Sequence, residues 1–442
     1  MKKLESIEST GFLAVILGGN RGAYGLAQAF YEEYGIKSIV VSPYQTGPIL
    51  HSMIIDYYSQ SNIMNIEQLM STFQQIEADF PNSKKLLFGS DDCYVELLIN
   101  KREQFSNQWI VPYVEKETYE QVTDKSRFYD LCHQIGVPYP RTSIVKKAEQ
   151  TFSLTFPVII KPAQTPDFQI LSFEGKQKVY ICYDMQEASE NISLIYQNGY
   201  QGELIVQEYI QGDDQSLGIV TAYVAKKDRK LKLVSFANVL VDDPTPSAIG
   251  NSLAGIVRKE PALMESIIKI VEASDFYGFA TFDVKYDSDR GKYVFFELNG
   301  RLGSSNYYVT SAGNNVAKYY VDDFLLNQSI EGTNNEKEVL YTVLPKKLLL
   351  HMISNKEDKQ KIKTFYQNKQ VVRLLYASYE HHLKRKTYLM ASALNYYKKL
   401  LLFPSLERKF LSNQEKHVFK SNLAQRLVKQ TDTDSLFHKH NL

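Results

Sequence analysis

Glu297, Asn299 and Arg301 interrupt the end of an apolar run, YVFFELNGRLGSSNYYVT at residues 293–310. If the run is a strand, alternation sends these three polar side chains to one face. A carboxylate, an amide and a guanidinium beside an apolar core are costly to bury unless something binds them. A second strand-like stretch, GFATFDVKYD at 278–287, precedes the run across the turn SDRG. A hairpin closed near 288–291 places Thr281, Asp283 and Lys285 on one face of its first strand. Phe295, Glu297 and Asn299 then share a face of the second strand, with Asp283 almost opposite Glu297. Two carboxylates and an amide oxygen on rigid strands make an all-oxygen set. Such a set suits Mg²⁺, which takes one or two carboxylates and completes its shell with water and phosphate oxygens. The alternative is a hydrogen-bonded polar cluster at a sheet edge.

These residues need elements to position them. FLAVIL at 12–17 reads as a buried parallel strand, followed by the turn GGNRGAYG, an amphipathic helix to Tyr34, and a strand KSIVVS at 37–42. A further strand, KKLLFG at 84–89, completes a Rossmann-like α/β pattern over about residues 10–115. The turn spacing is G-G-x-x-G-x-x-G, and no ribose-binding acid follows the second strand, which argues against a dinucleotide fingerprint. From residue 121, TDKSRFYDLCHQIGVPYPRT predicts an Asp- or Thr-capped helix ending at Gly136. Strands are expected at 156–162, 178–183, 203–210, 216–225, 231–241 and 338–344, and a helix at 262–276. There is no P-loop, no nucleophile triad, and no His/Cys metal spacing.

The order of these pieces resembles the ATP-grasp superfamily over roughly residues 121–325. The resemblance rests on Lys125, Lys161 in FPVIIKPA, the segment LIVQEYIQGDD, and the carboxylate hairpin. It implies ATP held between two α+β subdomains, with Lys125 and Lys161 on the phosphates and Gln207, Glu208 and Ile210 at the adenine hinge. Asp214 matches the ribose acid, with Asp213 second, and Asp283, Glu297 and Asn299 match the ligands of Mg²⁺, two ions being expected. Arg301 completes a Glu-x-Asn-x-Arg motif, where its fork would hold a carboxylate or a forming acyl phosphate; Lys161 and Arg301 are the catalytic candidates. The loop 162–177 holds only one glycine, Gly175. Either Gly175 and Lys176 reach the phosphates late in a long loop, or side chains form the lid.

Further segments, at 31–57, 173–180, 245–251 and 300–323, resemble the D-aspartate ligases of Gram-positive bacteria. That resemblance implies a carboxylate–amine ligase that forms an amide through an acyl phosphate. It would add D-aspartate to the lysine amine of a peptidoglycan precursor. Ser304, Ser305 and Asn306 would lie at the substrate carboxylate; the alternative is a turn satisfied by its own Ser and Asn side chains. Other donors, an amino acid or a peptide, remain open, as does a nucleotide-binding scaffold or sensor without turnover.

The expected architecture is therefore mixed α/β and α+β. A Rossmann-like domain (1–120) precedes an ATP-grasp domain (121–330) and a basic, mostly helical region (331–442). The chain carries 51 Lys/Arg and 50 Asp/Glu, but 18 and 7 of these fall in residues 351–442, leaving 33 and 43 for the body. The basic region, with HHLKRKTYLMASALNYYKKLLLF at 381–403, suits an anionic membrane or a diphosphate-linked substrate. A solvated face packed on the acidic body is the other reading. No nucleic-acid-binding module is recognisable. Three scattered cysteines suggest neither disulfides nor zinc, and no run is long enough to span a bilayer. A cytoplasmic protein, peripheral to the inner membrane face, is expected.

Overall fold

The computed structural model describes residues 11–402 apart from 149–150, 164–166, 169, 246–247, 249 and 335–336. The basic region after Leu402 and parts of the 162–177 and 245–251 segments lie outside the described residues. The chain divides into two compact units. The first takes the residues up to Pro140, Ile210–Asp243 and Gly250–Lys399, and the second is built on Arg141–Tyr209.

The first unit opens with a parallel sheet of β1 (Phe12–Leu17), β2 (Ser38–Ser42), β3 (Ile55–Ser59), β4 (Lys84–Gly89) and β5 (Trp109–Ile110), in the order β3-β2-β1-β4-β5. All six residues of β1 are buried, as its unbroken apolar run requires of a central strand. Helix α1 (Arg21–Tyr34) starts at Asn20, whose side chain accepts from the Ala23 N–H, and ends at left-handed Gly35. Helices α2 (Ile66–Asp79), α3 (Asp92–Asn100) and α4 (Lys116–Thr123) follow. In α5 (Lys125–Ile135) the cap is Asp124, and Gly136 at φ 69° ends the helix.

In the second unit, β6 (Thr142–Val145), β7 (Val158–Pro162), β8 (Tyr180–Cys182) and β9 (Leu204–Glu208) form an antiparallel sheet ordered β6-β9-β7-β8. It packs with α6 (Met185–Gln197) around Val158, Ile160, Ile192, Ile195 and Val206.

The first unit then resumes as an eight-stranded sheet: β10 (Leu217–Val224), β11 (Leu231–Val241), β12 (Ala254–Arg258), β13 (Gly278–Asp287), β14 (Lys292–Asn299), β15 (Thr333–Asn334), β16 (Val339–Thr342) and β17 (Val371–Arg373). The main path runs β14-β13-β10-β11-β12-β16-β17, with α7 (Met264–Ser274) between β12 and β13 in sequence. The carboxylate hairpin closes over 288–291, and Asp283 is in register with Glu297. A bulge directly after that pair sets Val284 against Phe295 and leaves Phe296 as the extra residue. Phe295 therefore does not share a face with Glu297, contrary to simple alternation. Its ring lies 5.8 Å from that of Phe282 on the opposite side. The bulged backbone is held from outside the ladder. Tyr129 Oη donates to the Phe296 carbonyl at 2.7 Å, and the Phe295 N–H donates to Pro138 O at 2.9 Å. Because β14 ends at Asn299, the loop rather than the strand positions Arg301.

Helix α8 (Leu383–Leu402) lies in the basic region. His381 and His382 precede it, and His382 stacks on His51 with ring centres 4.9 Å apart. Among the described residues no helix is long and apolar enough to cross a membrane.

Candidate functional site

At the outer edge of the large sheet, β13 and β14 bring Asp283, Glu297 and Asn299 together, Asn299 in register with Thr281. All three are part-exposed at this edge. Lys125, the first residue of α5, reaches across to Glu297, Nζ to Oε2 being 3.1 Å. Burial works against the charge of Lys125. The Glu297 carboxylate, with smaller help from Asp92 and Asp283, outweighs it and raises the lysine pKa. Among the described residues no three His, Cys, Asp or Glu side chains gather as a metal cluster. The set here is two carboxylates and one amide oxygen, a combination that could hold Mg²⁺ with water and phosphate completing its shell.

Arg301 belongs to a different arrangement. Its Nε and Nη2 donate to Asp92 Oδ1 and Oδ2 at 2.6 and 2.7 Å, and Nη1 donates to Leu302 O. Burial of the guanidinium alone would lower its pKa; the Asp92 carboxylate more than reverses this. Asp92 opens α3 just beyond β4, at the point where the strand order of the parallel sheet reverses. Crevices beyond the carboxyl ends of strands at such switch points are the usual ligand sites of α/β sheets. Asn20, beyond β1, ties the two loops together, donating to Ser90 O and to Asp91 Oδ2, each at 3.0 Å. Burial raises the Asp91 pKa, with Arg301 pulling against it and Asp92 adding to it.

The loop after Arg301 packs on the glycine-rich turn. Thr281 Oγ1 donates to Arg301 O and accepts from the Gly303 N–H. Ser304 Oγ donates to Asn251 Oδ1 at 3.1 Å. Ser305 and Asn306 are buried, and Asn306 Nδ2 donates to Gly22 O at 3.0 Å. A Cβ on Gly22 would stand 3.2 Å from Ser304 Cα and 3.3 Å from Gly303 O. The glycine there admits this loop's backbone, which gives it a use without any dinucleotide.

Lys285 Nζ donates to the carbonyls of Ile210 and Gly212, both at 2.9 Å, and so fixes the chain where it re-enters the first unit. Nearby, Asp213 accepts from the Gln215 N–H, while Asp214 Oδ2 accepts from the Asp242 N–H at 3.0 Å. Burial, and then the Asp214 carboxylate, pushes the Asp242 pKa up to about 7, against a hydrogen bond from the Gly250 N–H.

Lys161, Lys176, Gln207 and Glu208 belong to the second unit. Lys161 sits on β7 beside Ile205 of β9. Lys176 Nζ donates to Leu171 O at 2.5 Å and lies over the Phe168 ring. Gln207 Nε2 donates to Thr142 Oγ1, and Glu208 accepts from the Arg141 N–H and Nε. The N–H groups of Glu208 and Tyr209 are used by Arg141 O and Pro157 O.

Sequence reasoning missed Asp92 and Asp242, and it placed Lys285 on the face of Asp283 without reading its contacts to Ile210 O and Gly212 O. The only signal for Asp92 is the acidic doublet at 91–92 after a parallel strand. Nothing in its spacing links it to an arginine 209 residues away.

No protein-family model matches the chain. It is 31% identical over 374 residues to the D-aspartate ligase of Enterococcus faecium (strain Aus0004), an alignment spanning 81% of this chain and 88% of that protein. The chain belongs to the D-aspartate ligase family of ATP-grasp carboxylate–amine ligases. As a member it is an enzyme that forms carbon–nitrogen bonds. Solved structures agree on the fold. The ADP complex of N5-carboxyaminoimidazole synthetase from Staphylococcus aureus superposes with a TM-score of 0.54 at 15% identity, covering 75% of this chain and 81% of that one. Biotin carboxylase from Campylobacter jejuni, complexed with an ATP analogue, gives 0.51 at 15% identity over 71% of each chain. At such identities these likenesses speak for the fold alone.

Proposed function

We propose that this ligase joins D-aspartate, through its β-carboxylate, to the lysine side-chain amine of a peptidoglycan precursor in the cytoplasm, at the expense of ATP. The observation that carries the reading is the Asp283–Glu297 pair with Lys125 bound to it. That grouping suits the triphosphate end of a nucleotide. Asp283, Glu297 and Asn299 would hold Mg²⁺, two ions being accommodated with substrate oxygens; the metal would neutralise charge on the transferring phosphoryl group. Lys125 and Lys161 are assigned to the phosphates, and Lys176 would join them by leaving Leu171 O. Gln207, Glu208 and Ile210 are assigned to adenine and Asp214 to the ribose.

Arg301 is assigned to the donor carboxylate. Asp92 holds one edge of its fork and so fixes the direction in which the guanidinium faces. Ser304, the more open of the three, would contact the donor directly, while Ser305 and Asn306 shape the turn behind it. A carboxylate oxygen of the donor attacks the γ-phosphorus and ADP leaves, giving an acyl phosphate. The acceptor amine then adds to the carbonyl carbon and loses a proton, and phosphate departs as the amide forms. No enzyme nucleophile is consumed.

The test is phosphate release with a panel of D- and L-amino acids, each with and without a muramyl pentapeptide. D-aspartate should support turnover that depends on the pentapeptide. Turnover with another amino acid but none with D-aspartate would overturn the substrate assignment.

A further inference from the structure

Helix α8 has two unlike faces. One is fixed to the first unit. Arg385 is fully buried, donates from Nη1 to Pro48 O and Leu50 O at 3.0 Å each, and stacks over the Tyr24 ring. Glu380, just ahead of the helix, accepts from Tyr24 Oη, Ser52 Oγ and the Met53 N–H. Further along, Lys399 Nζ meets the buried Asp243 carboxylate at 2.5 Å. The helix is therefore held in one orientation.

The other face carries Leu383, Met390 and Leu394, which are 78, 71 and 70% exposed. At 100° per residue these three lie within about 40° of one another. Exposed Lys386 flanks the row on one side, and exposed Lys384 and Lys398 flank it on the other. The twenty residues of α8 contain no Asp or Glu. A solvated helix of this length would gain from acids paired with its lysines at i,i+4, and this one has none. Single exposed apolar side chains are ordinary, but a row of three between lysines on a pinned helix is not.

We infer that this face of α8 seats the enzyme on an anionic lipid bilayer, with Leu383, Met390 and Leu394 entering the headgroup–acyl boundary and Lys384, Lys386 and Lys398 on anionic headgroups. The choice of a bilayer over a protein partner rests on charge. The lysines sit on both sides of the apolar row, where an interfacial helix meets headgroups, and α8 itself carries no acid to be repelled. The rigid attachment through Arg385 and Lys399 presents the row already ordered, so little freedom is lost on binding.

The experiment is sedimentation of the full-length protein with vesicles of phosphatidylcholine alone or with about one-third phosphatidylglycerol. The protein should pellet with the anionic vesicles only, and less so as salt is raised. Leu394→Glu and Met390→Glu should each weaken binding roughly tenfold or more, while Lys386→Glu and Lys398→Glu should each weaken it at least about fivefold. All four substitute exposed positions, so melting curves and ligase turnover on soluble substrates should be unchanged. Failure of the wild-type protein to pellet with anionic vesicles would overturn the inference. So would pelleting that Leu394→Glu and Met390→Glu leave intact, or a wild-type dimer that Leu394→Glu dissociates without any lipid binding.

Discussion

Arg301 and Asp92 form a two-point ion pair, Nε–Oδ1 at 2.6 Å and Nη2–Oδ2 at 2.7 Å, that joins the loop after the carboxylate hairpin to the switch point of the parallel sheet. The pair fixes the plane of the guanidinium. Asp92→Asn keeps one acceptor but loses the charge and the second bond. Since Asp92 is part-exposed, the expected stability loss is small, about 1 kcal/mol. The expected kinetic effect is larger, a rise of roughly tenfold or more in KM for the amino acid with KM for ATP little changed. Equal changes in both constants would remove Asp92 from the donor site. Arg301→Ala should stop acyl-phosphate formation itself, read as loss of amino-acid-dependent ADP release.

Glu297 answers to both Asp283 and Lys125. Glu297→Gln preserves shape and hydrogen bonding but halves the carboxylate charge of the proposed metal set. Turnover with Mg²⁺-ATP is expected to fall by roughly a hundredfold or more while the melting temperature moves little. Initial-rate assays across a Mg²⁺ titration check this, and wild-type rates would sink the metal assignment.

Asp242 gives a pH dependence with a definite sign. Its pKa is raised to about 7 by burial and by Asp214, with Asp243 adding and Lys399 balancing Asp243. A raised carboxyl pKa contributes stability that is full below the unfolded value near 4 and is lost as pH rises through about 7. The advantage of Asp242→Asn over wild type should therefore grow between about pH 4 and pH 7, and be larger near pH 8 than near pH 5 by roughly 1–3 kcal/mol. Urea melts at the two pH values measure the difference.

Arg385 and Glu380 form a buried pair, the nitrogen 3.5 Å from the oxygen and both side chains almost fully enclosed. Arg385→Met strands the Glu380 carboxylate and is expected to cost about 3–5 kcal/mol. Adding Glu380→Gln should recover part of that loss. Denaturant unfolding of the single and double variants decides it; additive losses would mean that the two charges do not depend on each other.

By itself the sequence determined the local elements and the chemistry they carry. Apolar runs announced β1 and β4, Asp124 and Gly136 delimited α5, and SDRG closed the hairpin that sets Asp283 against Glu297, because caps, turns and alternation act over a few residues. Strands β3, β5, β6, β12, β15 and β17 went unread, being short and without alternation. Alternation also misplaced Phe295, since a bulge is stabilised by Tyr129 and the Pro138 carbonyl, far away in sequence. Only the tertiary structure paired Arg301 with Asp92, set Ser304 and Gly303 against Gly22, and turned one lysine-flanked face of α8 outward while burying Arg385. Each depends on segments separated by hundreds of residues meeting in space, and no local preference encodes such a meeting.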